Sequence, residues 1–378
     1  PPLSAPGAES AASAASAQSG ERLSTEPTRL SSEPAATATD EEVKEFLAAY
    51  GFEGGVSDRG ADGKGVFPLL CAVLANDAPL VRALLKAGAD PNLAYEGKQR
   101  EGHFFALHQG TTAVHLAPLS DHSNDGVVMR ELLRAGGDPG RVTSRGASPL
   151  MFLAAVSYDA AGGIKTLRDA CRDTGVPLDI EYQIPVNSAT ALQLAAYMSQ
   201  PATVAAILDI GGKARHSNDH GSSIFANACE NENVDLPTLE RLLRESEDGV
   251  IARQNEPKNA KWLAIDLLFE TLTACGIQRG SELAQTVANT RGATPLHCAA
   301  MVGQPPAVIK WLLEHGAAPS LFVRNKAGRT PLEVARLFGP FPQTELELQL
   351  AEKAEGLRQR VAAARAEREA EVQARGVG

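Results

Sequence analysis

The chain predicts an all-α solenoid of helix–turn–helix repeats, and three observations carry that prediction. Nearly the same phrase occurs twice near the C-terminus. Gly-Ala-Thr-Pro-Leu-His-Cys-Ala-Ala starts at Gly292 and Gly-Arg-Thr-Pro-Leu-Glu-Val-Ala at Gly328, with Thr294 and Thr330 36 residues apart. Recurrence at such a distance marks a supersecondary unit. Looser copies of the phrase run upstream to about residue 65. Only 5% of the residues are aromatic, which suits small stacked helices lined by alanine and leucine.

The phrase has a physical logic. The Thr294 hydroxyl can accept from an otherwise unpaired N–H at a helix start. Pro295 fits the first helical position, where its missing N–H costs nothing. Leu296, Ala299 and Ala300 give a first helix with a small, packable face. Val308, Ile309, Leu312 and Leu313 give a second helix, and Gly316 stops it as a glycine just past a helix end does. Thr330 and Pro331 restart the cycle.

Upstream, Phe67-Pro68-Leu69-Leu70 precedes Leu84-Leu85 and Gly88-Ala89-Asp90, and Thr112-Ala113-Val114-His115 precedes Leu132-Leu133 and Gly136-Gly137-Asp138. Further units open at Ser148-Pro149-Leu150, Thr190-Ala191-Leu192 and, weakly, Ser223-Ile224-Phe225. With its Thr-Pro-Leu-His, Ala-Ala, Leu-Leu and Gly-Ala signatures, the chain resembles the ankyrin-repeat family over roughly residues 65–342. The resemblance implies stacked helical hairpins that bind a protein. It also implies that His115 and His297, at the fourth position of the phrase, hydrogen-bond backbone of a neighbouring hairpin.

The openings are spaced 45, 36, 42, 33, 71 and 36 residues apart. The 71-residue interval from Ser223 to Thr294 holds either a degenerate repeat or a large insertion. Lys258 to Cys275 reads as one continuous helix without the break a helix pair needs, which favours the insertion.

Taken in order, residues 1–38 are rich in Ala, Ser, Pro and Thr without apolar periodicity, the composition of a disordered segment. Residues 39–64 hold an N-terminal capping helix and loop. Thr39 and Glu42 have capping-box spacing, Val43, Phe46, Leu47 and Tyr50 follow on one face, and Gly51 ends it. Residues 65–342 form the repeat array, with insertions near 93–111 and 246–291. Residues 343–378 form a charged C-terminal helix in which Leu346, Leu350, Leu357 and Val361 follow a 4-7-4 spacing, a short coiled-coil seam. That helix either packs on the last repeat in part and then projects, or docks on a partner helix.

Composition excludes several functions. Of 378 residues 43% are hydrophobic and 22% charged, with a net charge of −10, so nucleic acid is not the expected partner. No run of apolar residues is long enough for a membrane span. Five scattered cysteines without a paired motif fit a reducing compartment, either the cytoplasm or, if a leader was removed before Pro1, an organelle. No phosphate-binding loop, nucleophile elbow or zinc signature occurs, so no catalytic, cofactor-binding or metal site is expected. His216 and His220 are four apart, but among turn-forming residues and without a third ligand.

The expected function is therefore a non-catalytic protein–protein interaction scaffold, or an accessory subunit of a larger assembly. The alternative is a regulatory or targeting part of an enzyme whose catalytic domain lies elsewhere, including a ubiquitin-ligase substrate adaptor. No small-molecule substrate is expected. Partner-binding candidates are the insertion residues Tyr95, Phe104, Phe105, His108, Trp262 and Phe269, and the turn residues Arg324, Asn325 and Lys326. Aromatics in normally short polar turns are either tucked against the array or exposed as anchors.

Overall fold

The computed structural model describes residues 40–59, 65–97, 109–121, 124–156, 158–259, 261 and 289–375, the last five without side chains. The expectations for residues 1–38 and for Phe104, Phe105, His108, Trp262 and Phe269 lie outside the described residues.

A first helix, α1 (Asp40–Ala49), lays Val43 against the array and packs on α3. Tyr50, placed by the sequence on the apolar face, is exposed and stacks on Phe52 instead. Seven helical hairpins follow among the described residues. Their first helices are α2 (Pro68–Leu74), α4 (Ala113–Ser120), α6 (Pro149–Ala154), α8 (Ala191–Met198), α10 (Ile224–Cys229), α12 (Pro295–Met301) and α14 (Pro331–Phe338). Their second helices are α3 (Ala78–Lys86), α5 (Val127–Arg134), α7 (Ala161–Thr174), α9 (Pro201–Asp209), α11 (Leu236–Glu245), α13 (Pro306–Leu312) and α15 (Pro342–Arg375).

The local chemistry starts these helices where the phrase begins. The hydroxyls of Ser148, Thr190, Ser223 and Thr330 accept from the backbone N–H three residues on. Each first helix packs on the next, from α2 through to α14, and the second helices form a parallel row. Leu69, Leu84, Leu116, Leu132, Leu153, Ile164, Leu239, Leu296 and Ile309 are fully enclosed between the rows. No hairpin could bury these side chains alone, so stability comes from neighbours.

Within the 71-residue interval α10 packs directly on α12, so among the described residues no further first helix is stacked between them. Between α11 and α13 a 3-10 turn, Val250–Ala252, is wedged in, and its buried Val250 and Ile251 pack towards α10, α12 and the turn after α13. The helix expected from Lys258 does not begin there; the Lys258 N–H bonds to the Asp219 carbonyl at 2.9 Å in non-helical backbone.

The charged C-terminal helix is the second helix of the seventh hairpin, continued well beyond its neighbours. Thr344 and Leu348 are buried against α13 and α14, and every residue from Leu357 to Ala370 is exposed.

Candidate partner-binding surface

Before each first helix from α4 to α14 the chain makes a finger whose base is closed by a backbone hydrogen bond. The bonds run from Thr143 N to Ala147 O (2.9 Å), Ile184 to Ala189 (2.9 Å), Asn218 to Ser222 (3.1 Å) and Asn325 to Arg329 (2.9 Å). The same closure joins Tyr95 to Thr111 and Asn255 to Ala293, both at 2.8 Å, around much longer stretches. These two pairs bracket 96–110 and 256–292, within which 98–108, 260 and 262–288 lie outside the described residues.

Adjacent fingers are bonded into a row. Ser144 N donates to Gln109 O (2.7 Å), Asp219 to Asn187 (2.9 Å), and Lys326 to Arg291 (3.0 Å). The approach is close enough to require glycine at Gly221, whose φ is +80° and where a Cβ would overlap the Glu256 carbonyl.

Histidines tie the first helices to this row. In His115, Nδ1 accepts from Thr112 N (3.2 Å) and Nε2 contacts Ala147 O (3.2 Å), in the next finger. His297 repeats the pattern with Thr294 N (3.1 Å) and Arg329 O (3.0 Å). Gln193 does the same work from the same position, donating to Ser222 O at 2.7 Å. Burial pulls both histidines down to about 4, against the pull of these carbonyl bonds, so both rings are neutral near pH 7. The role the resemblance implied for these histidines is the one they have.

The turn candidates divide. Tyr95 is 1% exposed and Asn325 4%, which corrects the expectation that they are surface contacts. Asn325 bonds Asn289 O (3.1 Å) and accepts from Arg329 N (2.9 Å), so it holds the finger together. Arg324 and Lys326 are exposed, paired with Glu333 (2.7 Å) and Glu256 (3.1 Å).

A second surface was missed by the sequence reading. Seven residues after each cap the first helices carry a recurring position that is exposed at Leu74, Ala155, Tyr197 and Leu337, half-buried at Leu119 and Glu230, and buried at Met301. The series is Leu74, Leu119, Ala155, Tyr197, Glu230, Met301 and Leu337. Leu74 is 46% exposed and Tyr197 44%, and the half-buried Phe152 and Leu194 lie three residues before their members of the series. The fixed offset from the cap was a usable signal.

Glu230 is the only charged member of that series. The residue as a whole is half-buried, yet its Oε1 is enclosed without a hydrogen-bond partner. Enclosure of the carboxyl pushes Glu230 up to about 7, opposed by a hydrogen bond from Cys298. The Cys71 and Cys171 thiols are pushed up to about 11 by burial, and Cys229 and Cys298 are raised further, so these four are protonated rather than nucleophilic. Among the described residues no cluster of His, Cys, Asp and Glu is suited to a metal ion, and no helix is long and apolar enough to cross a membrane.

The family model described as ankyrin repeat matches residues 64–95 and 291–326, which contain the first and sixth hairpins. No curated protein matches the sequence. Similar solved structures include the human ASB11 ankyrin repeat domain, 18% identical, covering 76% of this chain and 98% of that one, TM-score 0.49. The ankyrin repeat domain of Bcl-3, a member of the IkappaB protein family, is 21% identical over 76% of this chain and 99% of its own, TM-score 0.43. A chain from the Bdellovibrio bacteriovorus predatory endopeptidase Bd0816 in complex with immunity protein Bd3460 is 20% identical, over 63% and 97%, TM-score 0.42.

Proposed function

Because the chain is an ankyrin-repeat protein, a family whose repeats generally mediate protein–protein contacts and are generally non-catalytic, we propose that it is a non-catalytic scaffold or accessory subunit. It grips a partner protein along the series from Leu74 to Leu337 and along the finger row. The observation that carries this reading is the recurrence of an apolar side chain seven residues after the cap in six of the seven described hairpins, with Leu74, Ala155, Tyr197 and Leu337 open to solvent and Met301 buried. Side chains of that kind on a rigid face are effective anchors for a partner. The paired ions at Arg324 and Lys326 would contribute to partner choice and association rate more than to affinity. The insertion residues Phe104, Phe105, His108, Trp262 and Phe269, which lie outside the described residues, are proposed as the second part of the surface.

The test is capture of partners with the intact chain, followed by cross-linking mass spectrometry. Leu74→Asp combined with Tyr197→Asp is expected to lower recovery of a specific partner at least tenfold with unchanged thermal stability. Cross-links from that partner should fall on that series and on 96–110 or 256–292. Unchanged recovery with the double variant, or cross-links confined to the second-helix row, would refute the reading.

A further inference from the structure

The last helix of the array is where a solenoid ordinarily turns a polar face to water. In α15 one side does pack: Thr344 and Leu348 are buried, and Ala351, Glu352 and Glu355 are half-buried. The opposite side is apolar. Leu346, Leu350, Leu357 and Val361 are each between 46% and 63% exposed. At 3.6 residues per turn they fall within an arc of about 60° and run for about 22 Å, with Ala364 next in line. The helix thus has two apolar faces, and the array covers one.

The borders of the stripe are basic. Lys353 and Arg360 flank it on one side, Arg358 and Arg365 on the other, and Arg368 stands at its far end; all five are exposed. Arg358 pairs with Glu355 (3.5 Å), and Lys353, Arg360, Arg365 and Arg368 have no ion-pair partner among the described residues. The flanking carboxylate within the stripe's length, Glu347, is taken by Lys310 at 3.4 Å. The same turns also wall a cleft of about 500 Å³ of mixed character, where Ala351 and Ala354 face Leu313, Ala318 and Leu321 and charged side chains, Lys310, Glu314 and Glu347 among them, complete the wall.

We infer that this face docks an amphipathic helix of another protein whose leucine-type seam is bordered by acidic residues. Charge decides among the occupants. A second copy laid antiparallel would set Lys353 against Arg360, and one laid parallel would set Lys353 and Arg360 against Arg358 and Arg365, so self-pairing juxtaposes like charges along both borders. A membrane surface selects a helix with a cationic face and aromatic anchors. Helix α15 carries seven acidic and six basic residues and no aromatic one. An acid-flanked helix satisfies both the seam and the free cations. This site is separate from the series on the first helices and goes beyond the function proposed above.

The probe is a set of three 21-residue helical peptides with the same leucine seam and with glutamate, glutamine or lysine at the flanking positions, titrated by fluorescence anisotropy into the full chain. The glutamate peptide is expected to bind at least tenfold more tightly than the lysine peptide, with glutamine between. Leu350→Asp combined with Leu357→Asp should weaken it at least tenfold with an unchanged circular dichroism spectrum. Lys353→Glu with Arg360→Glu should shift the preference to the lysine peptide. The inference is overturned if no peptide binds, or if all three bind alike. It is equally overturned if the wild-type chain sediments as a dimer that Leu357→Asp dissociates, or floats with phosphatidylserine vesicles in a way the same variant abolishes.

Discussion

The fingers of the third and sixth hairpins share a construction and differ in what they enclose. Thr143 and Ala147 close the third around three residues; Asn255 and Ala293 close the sixth around thirty-seven, with a hydrogen bond of similar length. The helices that follow, α6 and α12, stack on their predecessors in the same way. Closure is therefore a local matter between two backbone groups and the neighbouring fingers, and the tip is free to grow. The physical reason is that loop-closure entropy rises only logarithmically with length, while the stacked hairpins supply the stability. Sequence added between the closing residues is thus expected to cost the array little.

The strongest way to break this comparison is at the finger base. Gly221→Ala combines a left-handed backbone with overlap of the Glu256 carbonyl, so it should cost about 3 kcal/mol or more in urea denaturation. Gly328→Ala, at φ +76° with no neighbour within 4 Å, should cost about 1 kcal/mol. Equal costs would mean that packing between fingers is looser than the geometry implies.

Next in size is the link from first helix to finger. His297→Ala removes bonds to Thr294 and Arg329 and should cost about 2 kcal/mol, whereas His297→Gln, which mimics Gln193, should recover part of that. The sign of the pH dependence follows from the depressed values. Both histidines stay neutral in the fold down to about 4 and take a proton near 6.5 when unfolded, so their contribution is present above 6.5 and is lost as pH falls towards 4. Glu230 runs the other way. Its raised value favours the protonated fold, a contribution present at low pH and lost as pH rises through about 7. Glu230→Gln should therefore stabilise the protein at pH 8 by about 2 kcal/mol and have little effect at pH 4.

The smallest effect tests the comparison most directly. Replacing 262–288 by a short glycine-serine linker, which leaves Glu256, Lys258, Asn289 and Arg291 with their bonds to neighbouring fingers, should change stability by no more than about 2 kcal/mol, and in the stabilising direction. A large loss in differential scanning calorimetry would show that the replaced segment is part of the array's core.

Much of the array is legible from local chemistry. Thr294-Pro295 and Thr330-Pro331 announce helix starts because capping and a fixed φ act within one turn. His115 and His297 are legible because their partners recur with the repeat. The pairing of Asn255 with Ala293 was not legible, because non-local backbone pairing leaves no mark on either residue. Tyr95 and Asn325 looked like surface residues because turns are usually exposed, and only the stacked fingers show that they are enclosed. The series seven residues past each cap was written in the sequence, but which of its members stay open depends on the neighbouring hairpins.

Sequence alone determined that this protein is a stack of α-helical hairpins with two enlarged turns and a charged final helix, since capping, glycine stops and apolar spacing are short-range effects. Tertiary structure alone decided that Tyr95 pairs with Thr111 and Asn255 with Ala293, that one carboxylate is enclosed among thiols, and that the final helix keeps a second apolar face uncovered. Each of those depends on which surfaces meet when hairpins stack, and burial is a property of neighbours rather than of the residue that is buried.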